Sequence, residues 1–203
     1  TSITGVIAIG SSALGDASTM DTSANYSVAI GAAAGNNAGP LAEEFVIIGR
    51  SAGAKINGTG VTHIGFEAGQ YASGSYNTFV GTDAGKGGTT SAPFSSGEKN
   101  VAVGYGALDA FTTGFQNVAI GHSAGANITT SHYNVLIGQD AGKSITSGAG
   151  RSVLIGTFAG DAQTTSDYNV AIGYLAMTNN QVGSHNIVVG GAAGNDLLGP
   201  ENV

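Results

Sequence analysis

Two serines stand at the spacing that serves a catalytic nucleophile: Gly49 to Gly53 reads G-R-S-A-G and Gly121 to Gly125 reads G-H-S-A-G. In a nucleophile elbow this pattern lifts a hydroxyl out of a sharp strand-to-helix turn toward a histidine, and neither stretch leads into a helical pattern here. Gly138 to Ser144, G-Q-D-A-G-K-S, approaches a phosphate loop but has one residue fewer between its glycines than the Walker pattern requires. Glu67 and Asp83 occupy matching places in neighbouring segments, where two carboxylates can hold a cation through oxygen. Two side chains make a thin ligand set, so a solvated surface pair is the favoured reading, and no metal or cofactor is expected. His63, His122, His132 and His185 share no common place that would gather them around a metal. Asn25, Asn57 and Asn127 head N-x-S/T sequons.

The elements that must position these residues are copies of one unit. A glycine following an apolar triplet recurs at Gly10, Gly31, Gly49, Gly65, Gly81, Gly104, Gly121, Gly138, Gly156, Gly173 and Gly190. Most steps are 16 to 18 residues, with longer ones before Gly31 and Gly104. Such self-similarity is the signature of a stacked solenoid. The residue before each marker glycine is Ile or Val, and the one three before it is Val, Ile or Thr. Side chains two apart share one face of a strand, so each copy is read as a short strand whose β-branched face is buried. The intervening residue, from Ala8 and Ala29 to Val188, is mostly apolar as well. Strands apolar on both faces need cover on both sides, and a coil of this length is too slender to supply both. A second copy of the chain is expected over one of them.

Three residues after every marker stands Ala, followed in eight copies by Gly and otherwise by Leu14, Leu108 or Met177, which predicts a tight corner with little room or a positive φ. Four before the marker stand Asn77, Asn100, Asn117, Asn134, Asn169 and Asn186, with Ser27 and Ser152 in two other copies, a pattern that predicts an amide ladder along the axis. Tyr26, Tyr76, Tyr133 and Tyr168 precede that place and form a partial aromatic stripe, read as packing against a neighbouring chain, with a carbohydrate-stacking surface as the alternative. With 35 glycines, 9% charged residues, six Lys and Arg and a net charge of -7, the chain is unsuited to nucleic acid. It has no Cys, and no apolar run reaches the roughly 18 residues of a membrane span. Residues 1–203 read as a single repeat domain that begins without Met, expected to be a segment of a longer fibre chain with neighbouring segments at both ends.

The largest departure from the period is Lys86 to Lys99, expected to project as a loop. Loops on rigid scaffolds carry recognition, which makes Lys86, Pro93, Phe94, Glu98 and Lys99 candidates for partner binding. The units N-V-A-I-G-H-S-A-G and N-V-A-I-G-Y-L-A resemble the head repeats of trimeric autotransporter adhesins and, more closely, the repeat tracts of bacteriophage tail fibres. The resemblance spans all eleven copies, though the period is longer and the Ala-Gly corner stricter than in the adhesins. It implies a parallel β-roll, three of which associate into a fibre, with no catalytic residues. The expected protein is an all-β parallel β-solenoid of about eleven coils, homotrimeric and non-enzymatic. It would serve as a shaft or receptor-binding region of a virion or cell-surface fibre that meets a host glycan or protein receptor. A bacterial adhesin head, a self-polymerising filament and a polysaccharide-active enzyme are the alternatives.

Overall fold

A computed structural model describes residues 5–15, 25–89, 91, 94–148, 150–179 and 183–195. Eleven three-residue strands, each ending just before a marker glycine, follow one another along the chain: Ile7–Ile9 (β1), Val28–Ile30 (β2), Val46–Ile48 (β3), Thr62–Ile64 (β4), Thr78–Val80 (β5), Val101–Val103 (β6), Val118–Ile120 (β7), Val135–Ile137 (β8), Val153–Ile155 (β9), Val170–Ile172 (β10) and Ile187–Val189 (β11). They form one parallel sheet in strict chain order, each pairing in register with the next. This is a β-solenoid with one strand per turn, and there is no helix among the described residues.

Hydrogen bonding runs along the axis well beyond the strands. In the turn that begins at β7, the Val118 N–H donates to the Asn134 carbonyl of the next turn, and the Gly121 N–H to Val103 of the previous one, both at 2.8 Å. Past the marker the Ser123 N–H donates back to Tyr105 at 2.9 Å, and the Gly125 N–H forward to Ala141 at 3.0 Å. The exchange requires left-handed backbone at three places per turn, illustrated by Gln116 (φ 55°), Ser123 (φ 54°) and Gly125 (φ 57°). The marker adopts a different glycine conformation: Gly121 has φ 134°, and a Cβ there would lie 2.5 Å from the Gly138 carbonyl oxygen. The positive φ expected at the corner is present, and the left-handed residues five before and two after the marker are additional.

One expectation is reversed. The central residue of strands β2 to β11 faces the core: Ala29, Ile47, His63, Phe79, Ala102, Ala119, Leu136, Leu154 and Ala171 are fully buried and Val188 nearly so, while Ala8 in β1 is exposed. The β-branched residues on either side, taken in the sequence as the buried face, point outward, with Ile9 59%, Ile120 38% and Val189 69% exposed. The reason is the narrow bore. The corner alanines, such as Ala124 and Ala141, also fill the interior, so only one side chain per strand fits inside. Where that residue is large, the position after the corner alanine is glycine: a Cβ at Gly85 would lie 2.5 Å from the Phe79 ring, and one at Gly53 2.6 Å from Ile47. Leu108 and Met177, both fully buried, take that position in the turns whose strand centres are Ala102 and Ala171.

The amide ladder is present. Each buried Asn presents its carbonyl oxygen to the next turn, so that Asn100, Asn117 and Asn134 form one chain of bonds, continued from Asn169 to Asn186. Phe45 and Val61 stand in the same column and are buried as apolar plugs. His63 lies between the two apolar clusters of the core, stacked on Phe79 at 4.9 Å.

Candidate functional site

The outward face of the sheet is a strip of Val, Ile and Thr running from β1 to β11. Ile7, Ile9, Val46, Ile120, Ile172, Ile187 and Val189 are its most exposed members. Columns of aromatic and cationic side chains flank it in sequence, because a rise of about 4.8 Å per turn brings equivalent residues into ring contact. Tyr26, Tyr76, Tyr133 and Tyr168 occupy one such column and are exposed in the single chain. The intervening place between Tyr133 and Tyr168 is filled by Arg151, whose guanidinium lies 5.6 Å and 5.3 Å from their ring centroids. His185 extends the stack at 4.9 Å from Tyr168. On the other flank Arg50 sits 4.4 Å over Phe66, and Tyr105 stacks on His122 at 5.3 Å. The positive φ at Tyr133, Arg151 and Tyr168 is shared by the whole column.

The residues whose spacing suggested chemistry fall into turn geometry. Ser51 and Ser123 occupy the left-handed place two after the marker, in a turn that leads into another turn. In the phosphate-loop-like stretch, Lys143 pairs with Asp140 at 3.0 Å. Glu67 and Asp83 are brought together, as adjacent registers demand, but Lys86 Nζ lies between them at 2.7 Å and 3.1 Å. The ammonium thus stands where a bound cation would. The hydrogen bond that the Lys86 ammonium donates to the Glu67 carboxylate holds its pKa above the ordinary value, while burial pushes the neighbouring Asp109 carboxyl up. The four histidines are dispersed: His63 in the core, and His122, His132 and His185 each stacked on an aromatic ring. Among the described residues no group of three or more His, Cys, Asp or Glu is arranged to hold a metal.

The described residues at both ends of the segment Lys86 to Lys99 are bonded to neighbouring turns. Gly87 and Gly88 donate to Asp109 and Phe111, Ser95 pairs with Tyr71, Gly97 donates to Thr112 and Lys99 to Ser75, so both arms belong to the stack. Pro93 lies outside the described residues. Phe94 is half-buried, its ring stacked at 6.3 Å on Tyr71 with the Lys55 ammonium 5.9 Å away, while Glu98 and Lys99 are exposed. The sequence pointed to the segment's excess length but not to Tyr71 or Lys55, which lie one and two turns earlier and meet Phe94 only through stacking. Compared with family models, curated proteins and solved structures, the chain matches none.

Proposed function

We infer that this chain is a structural and adhesive segment of an extracellular or virion fibre, associated as a homotrimer through the outward face of its sheet. The observation that carries the reading is that face: β-branched residues from eleven successive strands, rigidly held by axial hydrogen bonds and left uncovered by the chain's own turns. Contiguous exposed apolar strips of this kind mark interaction surfaces. The Tyr and Arg columns at its margins have the composition that concentrates binding energy at interfaces. A three-fold arrangement is supported by the resemblance of the N-V-A-I-G units to tail-fibre and adhesin repeats, in which three rolls share a fibre. Phage tail fibre is the form that the resemblance favours. A rod of this build spaces and presents attachment surfaces rather than performing chemistry.

The absence of Cys allows a direct test. Single cysteines placed at Ile120, on the outward face, and at Asn127, on the exposed corner side, are labelled with a maleimide in the native assembly. The reading predicts protection at position 120 and rapid labelling at 127. Equal rates would place the interface elsewhere.

A further inference from the structure

Four successive turns build a concave site on the flank of the solenoid away from the strands, about 410 Å³ in volume and lined by Asn37, Lys55, Asn57, Phe94 and Ser96 among others. That volume lies within the range of about 300 to 1,000 Å³ typical of small-ligand sites. We propose that it binds one or two residues of an acidic saccharide, with the carboxylate on Lys55 and a pyranose face against Phe94.

The donors are set for an anion. Asn57 Oδ1 accepts the Leu41 N–H at 3.3 Å, which orients the carboxamide and leaves its NH2 group to donate. A Cβ at Gly39 would lie 2.2 Å from that same oxygen, so the glycine makes room for the amide. Lys55 has no carboxylate partner among the described residues, whereas Lys86 and Lys143 are both paired. In a chain of net charge -7, a cation left without a carboxylate beside amides and a hydroxyl in a concavity is a selective element. Phe94, fixed by Tyr71 and by Lys55, supplies an apolar surface for the C–H face of a sugar ring. A neutral sugar would use the ring and the amides but leave the ammonium unpaired.

The test is calorimetric titration of the full chain with a disaccharide of glucuronic acid and N-acetylglucosamine, and with its counterpart in which glucose replaces glucuronic acid. The acidic disaccharide is expected to bind at least about tenfold more tightly, and its affinity to fall with added salt. Lys55→Met should erase the preference, Phe94→Ala should weaken both sugars by about tenfold or more, and Lys143→Met should change neither. Melting curves establish that the variants are folded; should Phe94→Ala melt early, Phe94→Leu keeps an apolar side chain and removes the ring. Equal binding of the two sugars, no binding of the acidic one, or wild-type affinity in the Lys55 and Phe94 variants overturns the proposal. Sedimentation of the same samples reports the oligomeric state separately.

Discussion

Gly85 has no side chain because Phe79 occupies its space: a Cβ at Gly85 would meet the Phe79 ring at 2.5 Å. In the next turn the relationship is inverted, with Ala102 at the strand centre and Leu108 at the place of the glycine, both fully buried. In these two turns the bore is filled by dividing volume between two positions six residues apart in sequence, whereas at Gly125, opposite Ala119, the space is taken by Leu136, Ile128 and Leu108. Phe79→Ala should destabilise by about 3 to 5 kcal/mol through the cavity it opens. Adding Gly85→Leu should recover a substantial part of that loss, although Gly85→Leu alone is destabilising. A double-mutant cycle from denaturant titrations measures the coupling; additive effects would show that the two positions do not share space.

Asn117 has four polar contacts in the core. Its Nδ2 donates to Asn100 Oδ1 at 3.1 Å and to the Ser131 carbonyl at 2.9 Å, and its Oδ1 accepts the Asn134 backbone N–H and Nδ2. Asn117→Ala removes these four bonds and leaves Asn100 Oδ1 only the backbone N–H of residue 117, at 3.0 Å, so a loss of about 3 kcal/mol is expected. An unchanged unfolding midpoint would mean that the ladder does not support the stack.

The marker glycine is constrained by conformation and by space together. Gly121→Ala places a methyl against the Gly138 carbonyl at φ 134°, whereas Gly148→Ala, at φ 76°, meets nothing within 4 Å. The first should lower the melting temperature several times more than the second, whose effect is limited to about 1 kcal/mol of backbone strain. Comparable shifts would contradict the close approach of successive markers.

His63 is fully buried, and neither ring nitrogen has a hydrogen-bond partner. Burial pushes its pKa from 6.5 to about 3, so the folded chain holds it neutral while the unfolded chain protonates it near 6.5. Its contribution to stability is thus complete above about pH 6.5 and is lost as pH falls toward 3, at up to about 1.4 kcal/mol per pH unit. His63→Leu should flatten the decline in stability between pH 6.5 and 4 relative to the wild type. Parallel declines would show that His63 is not the buried base.

Much of the architecture was legible because its signals repeat. The eleven markers, the Asn column and the corner alanines fix the strand positions, the ladder and the turn. The inward face was misread because β-branched residues are taken as core formers, and Ile120 looks more like a core residue than Ala119 does. The pairing of the large Ile47, His63, Phe79, Leu136 and Leu154 with a glycine six residues on was present in the sequence and pointed to the middle residue as the inner one, although Ala29 and Ala119 are followed by glycine as well. The Lys86 bridge between Glu67 and Asp83 and the site around Phe94 were not legible, since both depend on which side chains meet across turns. The excess residues of the Lys86 to Lys99 segment also gave no indication that its arms are bonded into the stack.

The central claim is that the outward face joins copies of this chain, and sedimentation equilibrium of the wild type beside Ile120→Asp and Ala119→Asp tests it most directly. Ala119 is fully buried and Ile120 is 38% exposed in the single chain, so Ala119→Asp should unfold the neighbouring turns by burying an unpaired charge. Ile120→Asp should leave the turns folded and shift a wild-type trimer toward folded monomer. A wild type that sediments as a folded monomer, or an Ile120→Asp variant that remains fully trimeric, would contradict the account.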